Sequence, residues 1–245
     1  MNSVSLDKAT LYEKHRLPCA RQSAGDLLAR TGKVEVVADI GAGTGQLARL
    51  FAERCEQVYA VEPDLSMRSV AQEVLKAWPT VRVVGASAEQ TTLDTESIDL
   101  IVIGNAFHRF RPEACVELRR ILRKGGWVAL VSYSFANKAF TDMLFPKLAT
   151  LERLAARTEQ AWPRTPTEVL FGNNATETLS YPQMITEDWE AFFGSACSGI
   201  EAPERGDRDF SRFEQINREV FEAFAVGDRI QIEYSTTVLF GQPTG

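Results

Sequence analysis

Histidine and cysteine are scarce in this chain, and the few present are scattered. His15 and His108 are its two histidines, and Cys19, Cys55, Cys115 and Cys197 its four cysteines, in 245 residues. Two distant histidines exclude a multi-histidine metal centre. Cysteines with no C-x-x-C pair argue against structural zinc and imply no disulfide framework. Long hydrophobic runs are missing too. None approaches the ~18 residues of a membrane helix, and the opening MNSVSLDKATLYEKHR lacks the apolar stretch of a secretory leader. The expectation is a cytoplasmic protein with no membrane partner. Positive charge is in deficit, with 27 Lys and Arg against 33 Asp and Glu and a net charge of −6. That balance predicts no generic affinity for nucleic acid. The densest basic cluster, Arg119, Arg120, Arg123 and Lys124, precedes Gly125-Gly126, where cations complement a helix C-terminus. The chain shows neither an internal repeat nor a low-complexity segment.

What is present is an alternation of two periods. Apolar runs at 34–40, 57–63, 81–87, 98–107 and 127–134 read as strands covered on both faces. Between them, 45–55, 64–78 and 111–126 carry helical spacing, and 19–31 forms a helix ahead of the first strand. Strand–helix alternation with short connections means a right-handed, doubly wound parallel sheet. The rhythm then changes. Residues 137–160 look helical, and 162–186 carry most of the loop signals, with a possible strand at 176–185. A helix at 186–197 has Thr186 as its N-cap, and another spans 210–225. The alternating stretch 229–242 reads as the last strand, antiparallel and at or near an edge.

The most informative stretch is VVADIGAGTGQLARLF, residues 36–51. Its glycines, Gly41, Gly43 and Gly45, give G-x-G-x-G, whereas a dinucleotide fingerprint needs G-x-G-x-x-G and position 46 is Gln. Asp39 ends the strand two residues before the first glycine, where a carboxylate would repel a pyrophosphate but suit a nearby ammonium. Glu62 ends the second strand, where an acid can accept from both hydroxyls of a ribose. The loop therefore asks for a ligand with a ribose, an α-amino acid end and no large negative charge. S-adenosylmethionine has those parts.

With VYAVEPDLSMR, VVGASAEQTTL, IDLIVIGNAFHRF and ILRKGGWVAL following in order, the chain resembles the class I S-adenosylmethionine-dependent methyltransferases, in their small-molecule "type 11" branch. The resemblance is strong over 34–134. It implies an α/β fold with a doubly wound, Rossmann-like, mainly parallel seven-stranded sheet, an antiparallel strand near one edge and a cap insertion after strand five. The expected organisation is one domain over 1–245, with an N-terminal helical lid (1–33), a cofactor-binding core (34–134), a cap or substrate insertion (135–186) and C-terminal helices with the last strand (187–245).

By the same resemblance, Gly41, Ala42 and Gly43 approach the methionine part of the cofactor and Asp39 shapes that end. Glu62 binds the ribose diol, Pro63 and Met67 lie near the adenine, and Ser87, Ala88 and Glu89 edge it. Asn105 and Ala106 meet the amino-acid end. Tyr12, with His15 and Arg16, belongs to a segment that folds over the cofactor.

His108 is the candidate catalytic base, because a free imidazole titrates near neutrality. Tyr12, Phe107, Tyr133, Phe135 and Trp162 are candidate substrate contacts. So many aromatics predict a small, largely apolar metabolite with one nucleophilic oxygen or nitrogen, or less readily carbon. The transfer is expected to need no metal, and the protein to be a monomer or homodimer. A non-catalytic S-adenosylmethionine-binding protein and an NAD-dependent oxidoreductase are the alternatives.

Overall fold

In the computed structural model, which describes residues 5–152 and 165–244, five parallel strands carry the site. They are β1 (Val36–Ile40), β2 (Gln57–Val61), β3 (Val81–Val84), β4 (Ile98–Gly104) and β5 (Leu122–Phe135). Three further strands follow, β6 (Thr176–Asp188), the two-residue β7 (Ala225–Val226) and β8 (Arg229–Gly241). The sheet order is β3-β2-β1-β4-β5-β8-β6, with β7 paired only to β8. Seven strands thus make the main path, as expected, and β7 is an added short hairpin partner. β8 runs antiparallel between β5 and β6, one place in from the edge.

The helices are α1 (Leu6–His15), α2 (Gln22–Thr31), α3 (Ala48–Phe51), α4 (Leu65–Leu75) and α5 (Pro112–Ile121) in the first half. α6 (Lys138–Leu148), α7 (Thr167–Phe171), α8 (Trp189–Ser198) and α9 (Phe210–Phe224) complete those described. Period-two burial divides the strands between two faces. Val37, Val58 and Leu100 pack with Leu27, Phe51 and Leu75 on one face. Ile40, Ile101 and Ile103 pack with Leu118, Ile121 and Phe171 on the other. A third cluster, including Phe140, Phe192, Phe213 and Ile232, joins α6, α8 and α9 to β8 and forms a cap. Each such side chain contributes roughly 1.5–3 kcal/mol by leaving water.

Three boundaries differ from the sequence-based expectation. The helix expected over 111–126 stops at Ile121, and the chain turns extended at Leu122. Its register against β4 then slips between Ile98 and Leu100, across a segment where Gly125 takes φ +77°. The supposed cap segment 176–186 is the outermost strand, paired along its whole length with β8. Because β6 runs on to Asp188, the next helix is capped by Asp188, whose side chain accepts from Ala191 N, and not by Thr186. The cap is accordingly built from α6 together with α8 and α9, not from 135–186 alone. Among the described residues no helix is long and apolar enough to cross a membrane.

Candidate active site

The carboxyl ends of β1, β2 and β4 meet at the glycine loop. Gly41 takes φ +75°, and a Cβ there would lie 2.7 Å from the Ala106 Cβ. The loop and the segment after β4 can therefore touch only through a glycine. Gly45 (φ +86°) has a second function, since a Cβ on it would sit 2.6 Å from Leu75 Cδ1. That explains the glycine which fits no dinucleotide pattern: it seats the loop against α4.

Two buried acids fix the loop. Asp39 is fully buried; its Oδ2 accepts from Ala48 N at 2.9 Å, at the start of α3. Its Oδ1 is buried with no partner. Burial, helped by the nearby Glu62 charge and opposed by the Ala48 N–H, pushes the Asp39 carboxyl up to about 7. Glu62 accepts from Gly43 N and from Asp64 N, both at 2.8 Å. Burial also raises its pKa, against the pull of those two N–H groups. Each Glu62 oxygen keeps a second acceptor position for a ligand hydroxyl.

Asn105 sits at φ +51°, a left-handed conformation that Asn tolerates better than other non-glycine residues. Its N–H donates to Val131 O at 2.8 Å, pinning the turn to β5. A 3₁₀ turn follows (Phe107–Arg109) and sorts the next side chains by threes. Phe107 and Phe110 meet edge to face at 6.1 Å and pack against the second core cluster. Phe107 is thus no cavity contact, contrary to expectation, because its position in the turn faces the core. His108 and Arg109 face outward, and Arg109 Nε donates to His108 Nε2 at 3.3 Å.

Two hollows open here. A small cleft is lined by Asp39, Gly41, Ala42, Cys19, Gln46 and Gly104, together with Tyr12, Arg16, Leu17, Leu47 and Asn105. A cavity of about 790 Å³ lies beyond it. Tyr12, Arg16, Leu17 and Asn105 line both. Tyr133, Phe135 and His108 line the larger one. Tyr133–Phe135 and Phe135–Phe140 ring contacts at 6.2 and 5.3 Å run along its wall. Burial raises the Tyr12 phenol and pushes Tyr133 up to about 12, so both stay protonated at neutral pH.

The lid helix α1 is docked. Lys8 Nζ donates to Ile200 O and Ala202 O, at 3.2 and 2.6 Å, and Glu13 pairs with Arg49 at 2.9 Å. Met67 packs with Ala9, Tyr12 and Ile200 beneath this helix. Its placement is as a floor for the lid. Ala88 is turned into the core. Glu89 accepts from Arg111 N at the start of α5, and Ser87 bridges to Gln90. Pro63 is exposed beside them. The expected contact Trp162 lies outside the described residues, and Trp189 is packed within the cap, stacked on Phe193 at 4.9 Å.

Two arginines join the site, Arg16 from the N-terminal segment expected to fold over it and Arg68, which was not expected. The Arg16 guanidinium lies 5.2 Å from the Tyr12 ring centre and 5.0 Å from that of Tyr133, with its Nε buried and unpartnered. Arg68 donates to Glu62 O and Pro63 O, at 2.9 and 3.0 Å, and lies against Gly85, across the ends of β2 and β3. The arginine in EPDLSMR was the available signal for the second. Among the described residues no three His, Cys, Asp or Glu side chains cluster as a metal would need.

Residues 38–130 match the family model described as "Methyltransferase domain". An uncharacterized methyltransferase of Mycobacterium tuberculosis is 38% identical over 96 residues, which is 39% of this chain and 38% of the relative. One from Anoxybacillus flavithermus is 34% identical over 107 residues, 42% of this chain and 49% of the relative. The chain thus matches less than half the length of these curated relatives. The fold extends further. The YcgJ protein of Bacillus subtilis superposes with a TM-score of 0.56 at 17% identity, covering 92% of this chain and 100% of that one. A solved chain from Anaeromyxobacter dehalogenans gives 0.60 at 22%, covering 93% and 97%.

Proposed function

We propose that this protein transfers a methyl group from S-adenosylmethionine to an oxygen or nitrogen of a small, largely apolar metabolite, because residues 38–130 match a methyltransferase domain. The observation that carries the reading is the shared wall. Tyr12, Arg16, Leu17 and Asn105 line both the small cleft at the glycine loop and the large aromatic cavity. A methyl donor seated in the first would face an acceptor in the second.

The residues fit the cofactor. The unpartnered Asp39 Oδ1 at a cleft that also holds Arg16 matches a ligand end with both an ammonium and a carboxylate. Glu62 would accept from the ribose hydroxyls, and Arg68 with Pro63 would border the adenine. Asn105 would offer its backbone to the amino-acid end, beside the Gly41–Gly43 turn.

Bound S-adenosylmethionine supplies a methyl group already activated by its sulfonium. The protein's work is to position the acceptor in line and to keep water out. α1 and the cap do the excluding. Tyr12 and Tyr133, held neutral, offer ring faces and hydroxyl donors to the acceptor. His108 stands on the cavity wall as the candidate proton acceptor. Its Nε2 already takes a hydrogen bond from Arg109, so uptake of a substrate proton there requires Arg109 to give way.

Calorimetry with S-adenosylhomocysteine tests the cofactor half, and transfer of labelled methyl to a metabolite extract tests the other. Binding without any labelled product would favour a purely binding role. Tight NADH binding in place of S-adenosylhomocysteine would overturn the class.

A further inference from the structure

Of the polar residues that line the large cavity, Asn217 is the most deeply buried, and cofactor binding does not use it. Asn217, on α9, is 1% exposed and lines the cavity. Its Nδ2 donates to Phe213 O one turn back, at 2.8 Å. Its carboxamide oxygen and second amide hydrogen take no partner among the described residues. Around it the wall is apolar, with Phe140, Leu144, Phe192, Phe213 and Ile232. A carboxamide with hydrogen-bonding capacity left over in such a wall can be completed by a polar group of a molecule in the cavity.

The charged groups of the cavity lie elsewhere. Arg16 comes from the segment after α1, His108 and Arg109 from the turn after β4, and Glu201 from beyond α8. Glu201 is turned toward Arg109, at 4.0 Å. Asn217 is absent from the small cleft at the glycine loop, so it belongs to the cap side of the cavity.

We propose that Asn217 recognises a neutral hydroxyl or carbonyl on the part of the acceptor molecule remote from the methylated atom. An apolar body would bridge the two along the Tyr133–Phe135–Phe140 wall. A carboxylate or ammonium at that remote position is disfavoured, because the apolar wall offers it no counter-charge. This inference rests on the cavity being the acceptor site of the proposed methyl transfer.

The test uses a matched pair of two-ring phenols: para-phenylphenol, and its counterpart with a second para hydroxyl on the far ring. Affinity for each is measured by calorimetry, with and without S-adenosylhomocysteine. The wild type should prefer the second compound by about tenfold, the effect of one completed buried hydrogen bond. Asn217→Leu should erase that preference while leaving S-adenosylhomocysteine affinity unchanged, which also certifies its fold. Equal binding of the pair by wild type, or binding of neither, overturns the proposal, and this arm needs no variant. A preference that survives in Asn217→Leu overturns it as well. A wild type that fails to bind S-adenosylhomocysteine counts against the cofactor reading instead, and that result is read independently of the pair ratio.

Discussion

Asp39 has one backbone N–H to satisfy its carboxylate, and its other oxygen is buried bare. Burial raises its pKa to about 7, above the ordinary value of 3.8. The folded state therefore holds a proton that the unfolded chain releases. The stability this brings is fully present below about pH 4 and is lost as pH rises through 7, amounting to roughly a few kcal/mol. Asp39→Asn keeps an oxygen for Ala48 N and removes the charge. It should raise the Tm of the unliganded protein most at pH 8, less at pH 5 and least near pH 3.5, as melting across that range will show. It should also weaken S-adenosylhomocysteine binding. Glu62→Ala should reduce that affinity by about tenfold to a hundredfold, read by calorimetry. His108→Ala should lower turnover by about a hundredfold to ten-thousandfold with cofactor affinity unchanged. An acid limb in the wild-type pH–rate profile should vanish with it. A raised KM with an unchanged profile would instead make His108 a binding group. The acids and glycines were legible because each stands in a local motif whose spacing follows from strand, turn and helix. Arg16 was legible only through its N-terminal segment, with Tyr12 and His15, and Asn217 was not, because it enters the cavity by long-range packing that no local period reports.

At the level of elements, the segment of α1 and the turn after β4 border both hollows. α1 is held at several places, among them Lys8 on the carbonyls of Ile200 and Ala202, Glu13 on Arg49, Lys14 on Glu190, and Gly194 tightly against the His15 ring. Lys8→Met should remove the first hold and speed backbone hydrogen exchange over 6–15. S-adenosylhomocysteine should slow exchange there in the wild type. Equal rates with and without ligand would rule out ligand-linked closure. The alternation of elements to β5 was readable because apolar runs and amphipathic stretches alternate cleanly. The 3₁₀ turn was not, since its three-residue period is too short to stand out. It moved Phe107 from the expected cavity wall into the core. β6 was obscured in a different way. Its outward residues are polar and Pro182 lies within it, so it reads only as a possible strand over 176–185, and its pairing with β8 is what fixes it.

On the scale of the whole molecule, the sheet joins two bodies through one strand. One end of β8 pairs with the first half of the sheet through β5, and the other packs into the cap through Ile230 and Ile232. A molecule filling the cavity would therefore touch residues from both. That arrangement was only partly legible, because the cap is not one insertion but α6, α8 and α9 drawn from either side of β6. The strand order also has a consequence for how the chain is made. β8 emerges from the ribosome after β5 and β6, yet it lies between them, and β6 pairs with no other strand. Until β8 arrives, β5 presents an open edge and β6 has nothing to pair with. The Rossmann-like half can assemble during synthesis, whereas the cap and the outer sheet close only at the end. Nascent chains arrested before residue 229 should therefore be cut by protease around 176–188 and resist it around β1–β4, and release of the full chain should protect both.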